Sequence, residues 1–308
     1  MVYDLKFVNL GLTVPHMVSS ISVFGFRIAF YGIIIGIAMI LGTWLAAQDA
    51  KRRGTGEDAV YDFIIYGILI GVAGARLYYV FFQWDSYKND LLQIFNLRAG
   101  GLAIYGGVIG GILALVVWCR LKGKKFLEMA DSLVLALLVG QILGRWGNFF
   151  NCEAFGSYTE SLFAMRIRRE IVNPIMIDQE LLDHLIVENG VEYIQVHPTF
   201  LYESCWNLCL LLLILFVWRK RQVFSGEIFL VYIAGYGLGR VWVEALRTDS
   251  LLIPGTSLAV SQCIAGICFV TASILIVLGR KRPETERRQR TVPLSPEKRE
   301  EKYSKSGG

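Results

Sequence analysis

The feature that most limits this chain is its series of uninterrupted apolar runs, several of which reach the roughly 20 residues needed to cross the hydrocarbon core of a bilayer. Runs apolar on every side cannot be the outer helices of a soluble domain, which keep one polar face. Seven segments can be drawn: Phe24–Ala47, Ala59–Phe82, a third ending near Cys119, a fourth from about Phe126, then roughly Pro198–Trp218, Glu227–Leu246 and Leu258–Leu278. Charged residues make up 19% of the chain, below the roughly 25% of ordinary globular proteins. The expected fold class is an all-α polytopic membrane protein of about seven transmembrane helices with a small extracytoplasmic head. The head is expected at about 157–197, where Ala164–Ile171 and Tyr193–Val196 are stretches that can pair as strands. Residues 1–23 read as a short mixed lead without the pattern of a removable signal peptide, so the first span is expected to act as its own signal.

Charge orients this topology. Three clusters (Lys51–Arg53, Arg120–Lys125 and Arg219–Arg221) and the tail 280–308 hold 20 Lys and Arg, whereas the alternate loops hold 7. By the positive-inside rule, the amino end lies outside and the tail in the cytoplasm. The expected division is a transmembrane catalytic domain, 1–279, and a basic, disordered tail, 280–308. Four arginines belong to neither set: Arg27, Arg76, Arg145 and Arg240 lie within or at the rim of the spans.

Ionisable groups in such places are functional candidates by default. The densest set is Gly144-Arg145-Trp146-Gly147-Asn148-Phe149-Phe150-Asn151-Cys152-Glu153-Ala154-Phe155-Gly156, at the end of the fourth span. The expected topology carries Tyr31, Arg76, Gly101–Gly107, Arg145–Glu153, His197–Glu203 and Arg240–Arg247 to the outer level. A guanidinium is permanently charged and its fork of donors matches phosphate oxygens, so Arg145 and Arg240 suit an anionic headgroup. Equally, each can pair with a carboxylate, Arg145 with Glu153 and Arg240 with Glu244, and both readings can hold together. The glycine pairs at 100–101, 106–107 and 110–111 suit close helix packing or a headgroup against bare backbone. His197, opening the fifth span, and Asp131, near the cytoplasmic end of the fourth, read first as structural. The six cysteines include no Cys-x-x-Cys pair, which argues against a zinc site or disulfide framework; Cys205 and Cys209 read as buried packing.

At this point the residues resemble the prolipoprotein diacylglyceryl transferase family. The 144–156 run matches that family's signature, supported by His197-Pro198-Thr199-Phe200-Leu201-Tyr202-Glu203, by Tyr236-Gly237-Leu238-Gly239-Arg240 with Glu244 and Arg247, and by Tyr31-Gly32. The resemblance implies an enzyme of the bacterial cytoplasmic (inner) membrane. It would move the diacylglyceryl group of phosphatidylglycerol to the thiol of the lipobox cysteine of a preprolipoprotein, forming a thioether and releasing glycerol phosphate. The partners implied are that lipid, lipobox peptides and the bilayer; no cofactor, metal or nucleic acid is expected. Arg145 and Arg240 would hold the phosphate, with Asn148, Asn151, Glu153, Tyr236 and Glu244 shaping the site and Tyr31 lining the lipid cavity. Gly106, Gly107, His197 and Arg247 complete the expected substrate-binding set.

One departure matters. Many family members carry histidine in the glycine-rich stretch of the third span, where it has been proposed to activate the thiol; here that place is Tyr105. A phenol, with an ordinary pKa near ~10, is a poor base at neutral pH. Either neighbouring arginines lower it, another group such as His197 takes the proton, or no dedicated base is needed, because a thiol of pKa about 8.5 is already partly thiolate. The competing reading is a seven-span transporter or channel for a small anionic solute. Transporters are often built from repeated halves, and the sequence contains no visible repeat.

Overall fold

The computed structural model describes residues 2–97, 100–248, 250–256 and 258–282. Along the chain come strands β1 (Leu5–Phe7), β2 (Leu12–Val14), β3 (Ser20–Val23) and β4 (Phe26–Ala29), then helices α1 (Phe30–Arg53), α2 (Glu57–Phe82), α3 (Trp84–Tyr87), α4 (Ile104–Leu121) and α5 (Phe126–Phe150). After these come β5 (Met165–Arg168), α6 (Gln179–Asp183), β6 (Ile186–Glu188), β7 (Val191–Val196), α7 (Thr199–Phe216), α8 (Glu227–Glu244) and α9 (Val260–Lys281). Among the described residues, six helical segments are long and apolar enough to cross a membrane: α1, α2, α4, α5, Thr199–Lys220 and α9. The protein is a multi-pass membrane protein. The sixth expected span, α8, carries Glu227, Arg240 and Glu244 within 18 residues, more charge than any 18-residue stretch counted in the other six.

The chain folds as two compact units, one made of 2–42 and 134–282, the other of 43–133. In the first, a five-stranded antiparallel sheet has the order β2-β1-β5-β7-β6, with Leu5 opposite Ile167 and Met165 opposite Val196. The expected 164–171 and 193–196 strands do pair, but the amino-terminal lead supplies two further strands. Leu5, Met165, Ile167, Ile194 and Val196 alternate inward and pack with Leu181, Cys152, Phe155 and Phe200. The motif following α5 is thereby anchored to both the sheet and α7. Arg27 lies in the β3–β4 hairpin, opposite Ser22, so the first helix starts at Phe30 and not at Phe24. Helix α8 runs antiparallel to α7. Their near ends are tied by Trp218 Nε1 donating to Glu227 Oε1 (3.1 Å), and their far ends by Arg240 Nη1 donating to Glu203 Oε2 (2.9 Å). Gly237 faces α9, where a Cβ would stand 2.7 Å from the Ala265 carbonyl, so only glycine permits that approach.

In the second unit, α2 and α4 pack backbone to backbone. A Cβ on Gly74 would stand 2.6 Å from the Gly106 carbonyl and 3.2 Å from Gly110 Cα. Helix α1 continues through Lys51, Arg52 and Arg53, where a loop was expected. Asp49 accepts from Arg52 (3.0 Å) and pairs with Arg53, and cations in a last turn suit the helix dipole. The helix ends at Gly54 and Gly56, both at positive φ. Asp131 receives Arg53 Nη1 at 3.3 Å and Ser132 donates to Asp49 at 3.0 Å, the structural role expected of Asp131. Buried Arg76 is likewise occupied, donating to the carbonyls of Gln93, Ile94, Asn96, Gly100 and Gly101 at 2.6–3.2 Å. The thiols of Cys205 and Cys209 are exposed on α7 rather than buried. Of the 280–308 tail, everything after 282 lies outside the described residues.

Candidate functional site: two arginines on one carboxylate

Three helices of the first unit bring their charged ends to one level. Arg145 lies in the last two turns of α5, Glu203 near the start of α7, and Arg240 near the end of α8. Glu203 accepts from Arg145 Nη2 on one oxygen (2.7 Å) and from Arg240 Nη1 on the other (2.9 Å). Its side chain is 3% exposed, against 20% and 16% for the two arginines. One buried carboxylate therefore spaces two partly accessible guanidinium groups. Arg240 pairs with Glu244 through its second nitrogen, as one of the two expected pairings. Glu244 Oε1 is further held by Ser250 (2.8 Å) and Ser261 (2.6 Å).

The other expected pairing, Arg145 with Glu153, is replaced. Glu153 Oε1 instead accepts from Asn148 (3.0 Å) and Asn151 (3.1 Å). The reason lies in the backbone: the helix stops at Phe150, and Cys152 and Ala154 take left-handed conformations (φ 51° and 55°), which curl Glu153 back over the two asparagines. Arg145, freed of Glu153, makes a single side-chain hydrogen bond among the described residues. A guanidinium has five N–H donors, so most of this one is available to an oxyanion. Tyr236, four residues before Arg240, lies within the field of Glu203, Arg240, Arg145 and Glu244.

Glycines seat the surrounding pieces. The Tyr31 ring lies over the bare backbone of Gly147, where a Cβ would stand 3.2 Å from Tyr31 Cγ. Gly156 donates to the His197 carbonyl (2.9 Å), bridges Arg247, and has the Leu246 carbonyl 2.6 Å from where its Cβ would be. The loop after α5, the entry to α7 and the exit of α8 are thus fastened at one glycine. His197 Nδ1 lies 3.3 Å from the Tyr202 hydroxyl, and burial pushes the imidazole below its ordinary pKa. At neutral pH the ring is uncharged. Burial, helped by Asp4 and Glu153, pushes the Cys152 thiol up to about 11, so Cys152 is a packing residue, not a nucleophile.

Tyr105, Gly106 and Gly107 belong to the second unit. Tyr105 is 52% exposed in the first turn of α4. Gly106 is buried where a Cβ would stand 3.0 Å from Ala75 Cα, and Gly107 faces Ala75 at 3.6 Å, so helix packing occupies both glycines. Among the described residues, no group of three or more His, Cys, Asp or Glu is placed to hold a metal ion. Glu203 is the residue that sequence reasoning left off the site. Its signal was present in the fifth-span motif, a carboxylate one turn into an apolar helix.

Fold and site together define a polytopic membrane protein built around a carboxylate-spaced arginine pair. Comparison with known proteins supplies the family. The family model described as "Prolipoprotein diacylglyceryl transferase" matches residues 19–278, and the chain belongs to that family. It is 41% identical over 246 residues to the phosphatidylglycerol--prolipoprotein diacylglyceryl transferase of Clostridioides difficile (strain 630), covering 80% of this chain and 89% of that protein. It is 37% identical over 263 residues to the protein of the same name from Bacillus cereus (strain B4264), covering 85% and 92%.

Proposed function

We propose that this protein is a transferase that moves the diacylglyceryl group of phosphatidylglycerol to a prolipoprotein, with the acceptor the cysteine thiol of a lipobox. The single observation that carries the mechanism is Glu203 holding Arg145 and Arg240 side by side. In the reaction the cysteine sulfur bonds to the terminal glycerol carbon of the diacylglyceryl group, and the bond from that carbon to the phosphate oxygen breaks. Glycerol phosphate leaves, and the thiol proton passes to a base or to solvent. Charge accumulates on the departing phosphate, so fixed guanidinium donors stabilise the transition state more than the ground state. Glu244 holds Arg240 in place, Tyr236 and the Asn148–Asn151–Glu153 group shape the surroundings, and Tyr31, His197 and Arg247 border the substrate. Tyr105, which stands where many family members carry histidine, is the group to test as the base for the thiol.

The site faces the outside of the bacterial cytoplasmic membrane, with the amino end outside and the tail in the cytoplasm. The Lys and Arg distribution supports this. So does the β1–β5 pairing, because residues 5–14 and 165–196 can share a sheet only if the spans between them are even in number, and α1, α2, α4 and α5 are four. Helix α8, antiparallel to α7 and of the same 18 residues, supports a seventh crossing, which leaves the tail opposite the sheet. An anion transporter would need none of the acceptor chemistry, and the family assignment does not favour it. The test is diacylglyceryl transfer to a lipobox peptide in phosphatidylglycerol vesicles. Arg145→Ala and Arg240→Ala should each abolish transfer while the protein still inserts, and wild-type rates in purified variants would overturn the reading.

A further inference from the structure

Below the arginine level the same three helices carry a second polar layer. Asn207 lies four residues after Glu203 on α7, Gln141 four before Arg145 on α5, and Tyr232 eight before Arg240 on α8. Side chains four apart share a helix face. Because α5 and α8 run toward the arginines and α7 runs away from them, these three steps lead in the same direction. Gln141 Nε2 donates to the Tyr232 hydroxyl at 2.8 Å, which closes one side of the layer. The rest is open: Asn207 is fully buried, and its Nδ2, its Oδ1 and Gln141 Oε1 have no hydrogen-bond partner among the described residues.

Buried polar atoms without partners are rare because desolvation is uncompensated, and each asks for a water, an ion or a ligand. The atoms here specify the ligand. Two amide oxygens need donors and one amide nitrogen needs an acceptor, so an anion fits poorly and the arginines above exclude a cation. We propose that the Asn207–Gln141 layer is a hydroxyl-binding site. The O–H groups have two possible sources, ordered water or the head-group hydroxyls of phosphatidylglycerol. The second rests on the function proposed above, with the phosphate at Arg145 and Arg240. One helical turn, about 5.4 Å, is then within reach of a glycerol esterified to that phosphate, and the layer reads the polyol that distinguishes this lipid from others of equal charge.

The experiment measures the Tm of the full-length protein in detergent without lipid, with phosphatidylglycerol, and with phosphatidylpropanol, whose head group has the same charge and no hydroxyl. Wild type is compared with Asn207→Leu and, should that variant not fold, with Gln141→Met, which also loses the bond to Tyr232 and is therefore read by its lipid response alone. Loss in the variant of the extra Tm gain that phosphatidylglycerol gives over phosphatidylpropanol supports the site and identifies lipid hydroxyls as the occupant. A lower lipid-free Tm in the variant with that extra gain unchanged, or with none in wild type, supports the site and identifies water. A variant at least as stable as wild type without lipid and unchanged in its lipid response overturns the proposal, because removing an amide that held nothing relieves an uncompensated burial. If neither lipid moves the wild-type Tm, the lipid reading fails by itself, and the lipid-free comparison still decides whether the layer holds hydroxyls.

Discussion

Replacing Glu203 by glutamine keeps the shape of the clamp and removes its charge. The wild-type carboxylate accepts from Arg145 at 2.7 Å and from Arg240 at 2.9 Å. A glutamine can accept from only one of them and turns its NH2 toward the other, a donor facing a donor. One charge-assisted bond is lost, each such bond being worth about 1.5–3 kcal/mol. With the pair exposed by 20% or less, little of that is screened away. At about 1.4 kcal/mol per decade, kcat/KM for transfer from phosphatidylglycerol to a lipobox peptide should fall about 10- to 150-fold. The loss should fall on kcat more than KM. The ground-state lipid gains from a site one unit more positive, while the transition state loses its fixed donors. The assay is steady-state transfer in vesicles, with Tm measured on the same preparations. A Glu203→Gln enzyme with wild-type kcat would refute the reasoning, because the spacing of the arginines would then not depend on the carboxylate between them.

Tyr105→Phe separates a base from a spacer. A large loss of transfer assigns the proton to the phenol, and retention of most activity assigns it to another group or to solvent; the exposed position in the first turn of α4 leads us to expect retention. Gly156→Ala places a methyl 2.6 Å from the Leu246 carbonyl, and because that neighbour is backbone, the cost should be about 1–3 kcal/mol, seen as a Tm drop of several degrees together with reduced transfer. Cys152, raised to about 11, should carry about 100-fold less thiolate at pH 8 than an ordinary thiol. In a variant keeping only this cysteine, alkylation should be slow until the protein unfolds, and the native rate should keep rising with pH beyond 10; a plateau near pH 9 would contradict the burial. The sign follows for stability: a thiol raised on folding contributes below its unfolded pKa, and that contribution is lost as pH rises through about 11.

The apolar runs marked the helices to within a few residues because a bilayer allows little else. The main exception was at the start, where Phe24–Ala29 is apolar enough to pass for helix but pairs as a hairpin. The convergence of Arg145 and Arg240 was legible as two guanidinium groups at one depth on different helices. Their common partner was marked only as a carboxylate one turn into an apolar helix; that it joins the two arginines was not legible, because Glu203 lies 58 residues after Arg145 and 37 before Arg240, separations that carry no spacing signal. β1 and β2 were also invisible: three-residue strands are too short to alternate detectably, and they exist only because β5 offers Leu5 a buried place opposite Ile167. The continuation of α1 through Lys51–Arg53 follows from Asp49 and Asp131 neutralising its end, a contact between distant segments.

The most direct measurement for the central claim is the equilibrium affinity of a phosphonate analogue of phosphatidylglycerol that binds but cannot transfer, compared among wild type, Arg145→Gln and Arg240→Gln. If the two guanidinium groups hold the head-group phosphate, each substitution should weaken binding by at least about 10-fold, the lower bound for a lost charge-assisted bond. Affinity unchanged in both variants would contradict the account.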